Sequence, residues 1–178
     1  MKKQILLLSL GFFSISSFSA DHQMGLSVGL GNANYTPSSN DMDGLTNISI
    51  SYGREVSEWL TAKLGVHFGE DNNWVHSEEH DSLTGEDVEY EAFTVSANFS
   101  YPVSKHFGVH SDLGVNYHDA NVSIDNVKQI SETGAGYYLG FGGYYQFSGG
   151  LSLNLGWQSM AFGKIDITST NLGLGYQF

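Results

Sequence analysis

The chain has no cysteine, which excludes a disulfide framework and any thiolate nucleophile or metal ligand. Two prolines beside 22 glycines allow many bends without collagen-like order. Basic residues are scarce, seven Lys and Arg against 19 Asp and Glu, so charge does not draw the chain to nucleic acid. Long apolar runs are missing as well. Beyond the N-terminus nothing approaches the ~18 apolar residues of a helical membrane span, and no segment keeps a 3.6-residue apolar stripe. At 178 residues, 40 % hydrophobic and 13 % aromatic, the chain is nevertheless too apolar to be disordered and suits a single domain.

The N-terminal stretch MKKQILLLSLGFFSISSFSA has two lysines, an apolar centre and a small-residue end at Ala20. That is the form of a secretory signal peptide, so 1–20 is expected to be a leader and 21–178 the working domain. Loss of Lys2 and Lys3 leaves five basic residues against 19 acidic ones, a net charge of −14.

Period-two alternation fills the chain from Met24 onward. Met24, Leu26, Val28 and Leu30 alternate with Gly25, Ser27, Gly29 and Gly31; Phe93, Val95, Ala97, Phe99 and Tyr101 alternate with Thr94, Ser96, Asn98 and Ser100. Eight such stretches predict eight strands. Connectors after the second, fourth and sixth are short. Those after the first, third and fifth are longer and polar, near 36–43, 70–89 and 119–132, and the connector near 159–166 is intermediate.

The polar face of these strands is Gly, Ser and Asn with few long charged side chains, whereas the apolar face is a sheath of Leu, Val, Ile, Phe and Tyr. Aromatics gather at two levels: Tyr52, Trp59, Tyr101, Phe107, Phe147 and Phe178 at the short-turn end, Tyr117, Tyr137 and Trp157 at the other. Two aromatic girdles suit a sheet whose outside touches lipid. In lipid every backbone N–H and C=O must be paired within the protein, so the sheet has to close. The expected fold is all-β, an eight-stranded antiparallel transmembrane up-and-down barrel.

The last nine residues, TNLGLGYQF, place Asn171, Gly173, Tyr176 and Phe178 in the pattern of an outer-membrane barrel assembly signal. From Gly134 to Phe178 the chain reads GAGYYLGFGGYYQFSGGLSLNLGWQSMAFGKIDITSTNLGLGYQF. This resembles the last three strands of the small outer-membrane β-barrel superfamily that includes the OmpA transmembrane domain and the OmpX/Ail-like proteins. The resemblance implies a Gram-negative outer-membrane address, contact with lipid and lipopolysaccharide, and insertion by the outer-membrane assembly machinery with periplasmic chaperones. It also implies surface interaction of the adhesion or host-defence type. No peptidoglycan-binding domain is expected after Phe178, so the tethering role of full-length OmpA proteins is not expected to carry over.

Candidate chemistry lies in two places. Lys63 and Asp112 fall at similar heights on the polar face, and an eight-stranded interior is just wide enough for side chains to fill. An ion pair is expected there, in a network with His110, Asn98, Tyr144 and Asn154; its structural reading is a plug, its functional one a narrow ion path. The second long connector holds Glu70, Asp71, His76, Glu78, Glu79, His80, Asp81, Glu86 and Asp87. This is expected to be a solvated acidic extracellular loop, with divalent cations able to bridge it to lipopolysaccharide phosphates. It has no EF-hand or helical His–Glu spacing, and no cofactor is implied. His80, Asp81 and Ser82 could be read as a hydrolase fragment, but no rigid strand preorganises them. The reading is a non-enzymatic barrel with acidic outer loops and an adhesive edge where NVSIDNVKQI extends strands five and six. The alternatives are a small pore and a lipid A-modifying enzyme.

Overall fold

The computed structural model describes residues 22–35, 40–71, 86–124 and 128–178. Eight strands run in chain order: β1 His22–Tyr35, β2 Asn40–Ser57, β3 Leu60–Asp71, β4 Glu86–Pro102, β5 Phe107–Ile124, β6 Lys128–Gln146, β7 Leu151–Phe162 and β8 Ile165–Gln177. Each pairs antiparallel with the next, and β1 pairs with β8, which closes the sheet into a barrel. Closure is finished by two backbone bonds, His22 N–H to Phe178 C=O at 2.9 Å and Phe178 N–H to His22 C=O at 2.8 Å. The Phe178 ring also stacks on His22 at 5.8 Å and on Tyr176 at 6.1 Å.

The alternation fixes which way each side chain points. Leu26, Ile50, Val66, Val95, Leu113, Leu139, Leu155 and Leu172 face outward and are exposed; Asn47, Thr94, Asp112, Asn116 and Gln158 face inward and are buried. A soluble barrel has the opposite arrangement, so the outer wall is built for a lipid solvent.

Several boundaries differ from the sequence reading. The strands run 12 to 19 residues, longer than the roughly ten needed to cross a bilayer. Glu70 and Asp71 belong to β3, and Glu86 and Asp87 to β4, so these four are strand residues rather than loop residues. β5 continues to Ile124 and β6 begins at Lys128, which turns most of the third connector into a protruding hairpin. Between β7 and β8 the connection is a tight turn at Gly163 and Lys164. Gly163 has φ +66°, where a Cβ is costly.

The reason for the extra length is a change of chemistry along each strand. On β4, Phe93, Val95 and Ala97 point outward in the lower part; above Ala92 the apolar residues Val88 and Tyr90 point inward while Glu89 and Glu91 face out. β8 does the same, with Leu172 and Leu174 outward below and Ile165 and Ile167 inward above. The pleat keeps its phase, and only the identity of the two faces swaps. The swap marks where the surrounding solvent changes from hydrocarbon to water.

Candidate functional site

The lumen is divided. Its short-turn half is a polar well of about 300 Å³, lined by Ser27, Ser49, Ser51, Ser96, Asn154 and Gln177 among others. Halfway up the wall stands the ion pair. Lys63 Nζ lies 3.1 Å from Asp112 Oδ1, and the Asn98 amide donates to the same oxygen at 3.1 Å. His110 Nε2 is 3.9 Å from Asp112 Oδ2, beyond hydrogen-bond reach, and its ring stacks on Tyr144 at 6.4 Å. Hydrogen bonds join Lys63, Asp112 and Asn98, while His110 and Tyr144 stand beside them in a ring stack. Asn154 on β7 lies opposite Tyr144, and its amide donates to Ser152 Oγ at 3.3 Å rather than to Asp112.

The long-loop half of the lumen is apolar. Leu45, Val88, Tyr90, Val122, Met160, Phe162, Ile165 and Ile167 are essentially buried there. Tyr90 meets Phe162 edge-on at 5.1 Å, and His118 stacks on Phe162 at 4.3 Å. This apolar stopper was missed in the sequence reading, although its signal is present. Adjacent apolar residues such as Ala92 and Phe93 break the alternation where the faces swap.

At the stopper's level the outer wall of β3, β4 and β5 is acidic. Glu70 on β3 lies opposite Glu89 on β4, and Glu91 lies opposite Asp119 on β5. All four are exposed. They form a collar directly above Phe68, Phe93 and Tyr117, the top of the lipid-facing band. His76, Glu78, Glu79, His80 and Asp81 lie outside the described residues, as does the expected leader, 1–20.

The ladder between β6 and β7 opens lower, from Tyr137, which pairs with Val115 on β5. Its last pair upward is Tyr138 with Met160, yet β6 continues to Lys128. Asn116 bridges the opening: its Nδ2 donates to the Tyr137 carbonyl at 2.6 Å and to the Ala161 carbonyl at 3.2 Å. His118 Nδ1 lies 2.7 Å from Asn116 Oδ1 and fixes the amide's orientation. Higher up, Lys164 Nζ reaches Glu132 Oε1 at 3.7 Å.

The residues expected to form an assembly signal lie at the end of the closing strand β8. Asn171 is buried, its amide donating to Ser169 Oγ at 3.2 Å. Gly173 pairs with Ser27 and Asn154, Tyr176 with Met24 and Leu151.

The sequence matches the family described as outer membrane protein beta-barrel domain over residues 5–178. Among curated proteins none matches. Solved structures with the same fold include Neisserial surface protein A, at 12 % identity and TM-score 0.68, covering 89 % of this chain and 97 % of that one. Ail, the attachment invasion locus protein of Yersinia pestis, aligns at 11 % identity and TM-score 0.62 over 90 % of this chain and 100 % of its own. OprG from Pseudomonas aeruginosa aligns at 13 % identity and TM-score 0.54, over 89 % and 96 %. One structure of Ail holds the heparin analogue sucrose octasulfate. The chain belongs to the outer membrane protein β-barrel domain family and is an integral outer-membrane protein of that kind.

Proposed function

We propose that this is a non-enzymatic surface-interaction protein whose working part is the sheet that stands above the membrane. The observation that carries the reading is the open edge of β6. From Lys128 to Gly136 no described strand forms a ladder with it on the β7 side, although the Ala161 carbonyl packs against Gly136 and Lys164 reaches Glu132 there. A sheet edge with unpaired N–H and C=O groups is a template for an added strand. Asp119, opposite Thr133 on the other side of β6, with Glu91 beyond it on β4, favours basic side chains on that strand. Such a partner is an extended, basic segment of a host or matrix protein. Ail, whose name records attachment and invasion, has the same fold.

The collar also faces the lipopolysaccharide layer. Like charges opposite each other on a sheet destabilise it by roughly 0.2–1 kcal/mol per pair. Divalent cations bridging collar and lipid phosphates offset that repulsion. The apolar stopper supports a closed lumen over the pore reading. A lipid A-modifying activity has no supporting observation, since the stretch from His80 to Ser82 lies outside the described residues.

The test is adherence of cells displaying the wild type or a variant in which residues 122–130 are replaced by an Asn-Gly turn. Equal surface display is checked by heat-modifiability on gels. Adherence to matrix proteins should fall with the shortened hairpin, and fall partly with Glu89→Gln and Glu91→Gln together. Equal adherence of wild type and shortened hairpin would overturn the reading.

A further inference from the structure

The lipid-facing wall is not evenly filled. The outward positions of β5 run Val109, Ser111, Leu113, Val115 and Tyr117, so one small polar side chain interrupts a column of large apolar ones. Ser111 pairs with Phe99 on β4 and with Phe141 on β6. Phe99 does not cover it, because its ring stacks on Trp59 at 5.9 Å with the planes 17° apart. The result is a groove of about 310 Å³ on the outside of the barrel, lined by Trp59, Phe99, Tyr101, Val109 and Ser111.

Position argues for the occupant. The groove lies on the wall that faces lipid, near the short-turn end, which in such barrels is the periplasmic side. Trp59 and Tyr101 at its edge are exposed and of the type that sits at the headgroup level. Lys105 lies in the turn joining the two strands that carry Tyr101 and Val109, and supplies a positive charge for a phosphate at that depth. A second copy of the chain would need about 800 Å² of buried surface per partner, far more than one groove provides.

We propose that this groove seats one acyl chain of a glycerophospholipid of the inner leaflet, with the lipid phosphate drawn to Lys105. The lipid is held as a resident rather than exchanging as one of the surrounding annulus. Ser111 matters for its small size, which leaves room beside the Phe99 ring.

The experiment uses the full mature protein in phosphatidylethanolamine–phosphatidylglycerol bilayers. Native mass spectrometry after gentle detergent extraction should show an adduct of one phospholipid mass on the wild type. The adduct should drop at least fivefold in Ser111→Phe, which fills the groove from the lipid side, and weaken in Lys105→Gln. A second readout uses a Trp74→Phe, Trp157→Phe background that leaves Trp59 as the reporter. Phospholipid brominated on its acyl chain should quench Trp59 at lower mole fraction in this background than after adding Ser111→Phe. Equal adducts in wild type and Ser111→Phe, no adduct in either, or a dimer lost in Ser111→Phe would each overturn the proposal. Heat-modifiability of every variant confirms that the barrel itself is intact.

Discussion

Lys63 Nζ and Asp112 Oδ1 sit 3.1 Å apart although their strands, β3 and β5, are separated by β4. Asn98 on the intervening strand donates to the same oxygen, so three strands meet at one carboxylate. Asp112 is almost fully buried, whereas Lys63 keeps about a quarter of its side chain exposed to the polar well. Breaking a dry pair costs roughly 3–5 kcal/mol; the partial exposure of Lys63 lowers the cost of breaking this one. Asp112→Asn or Lys63→Met is expected to lower stability by about 1–3 kcal/mol in urea unfolding from lipid vesicles. The double variant should recover part of that loss, because it leaves no lone charge behind. Equal losses in the double and single variants would show that the pair is not coupled.

The apolar stopper predicts a closed barrel. Wild-type protein in planar bilayers is expected to carry no steady current. Replacing Met160 and Phe162 by Ser should wet the upper lumen and produce small conductance steps. Phe162 is fully buried, so Phe162→Ala alone should cost about 3–5 kcal/mol of stability. A wild-type current as large as the variant's would contradict the closed lumen.

Two glycines two residues apart on β6 should respond in opposite ways. A Cβ on Gly136 would lie 1.9 Å from the Ala161 carbonyl oxygen, a backbone atom that cannot rotate away. On Gly134 the nearest atom would be His118 Nε2 at 3.8 Å, an ordinary contact. Gly136→Ala is expected to destabilise the barrel by about 1–3 kcal/mol or more through overpacking at the point where β6 and β7 part. Gly134→Ala should be close to neutral. The folded fraction on unboiled gels across a urea series reads both.

The height of the lipid boundary can be measured on one strand. Leu113 lies within the outward apolar band of β5 and Asn121 lies above it. Leu113→Arg should cost roughly 2–4 kcal/mol in bilayers and Asn121→Arg about 0–1 kcal/mol. Similar costs at both positions would move the boundary above the collar.

Much of the architecture was legible in the chain before folding. Strand number, strand order and the outward face come from period-two alternation, because a pleat sends neighbours to opposite sides whatever lies around them. Lys63 and Asp112 could be paired in advance since the interior is narrow and each was read as an inward charge at similar height. Asn154 was grouped with them on the same reasoning. Its amide instead reaches Ser152 two residues away on its own strand, a local choice that inward direction alone does not decide.

The sequence by itself determined that the chain forms a closed antiparallel barrel with a lipid-facing wall, since alternation and the need to pair every backbone group in hydrocarbon leave one solution. Only the tertiary structure decided where that wall stops. The swap of faces above Ala92, the stopper around Phe162 and the opening between β6 and β7 depend on which residues share a height across tilted, staggered strands. Height is a property of register between strands, and each strand's own sequence records only its direction in and out.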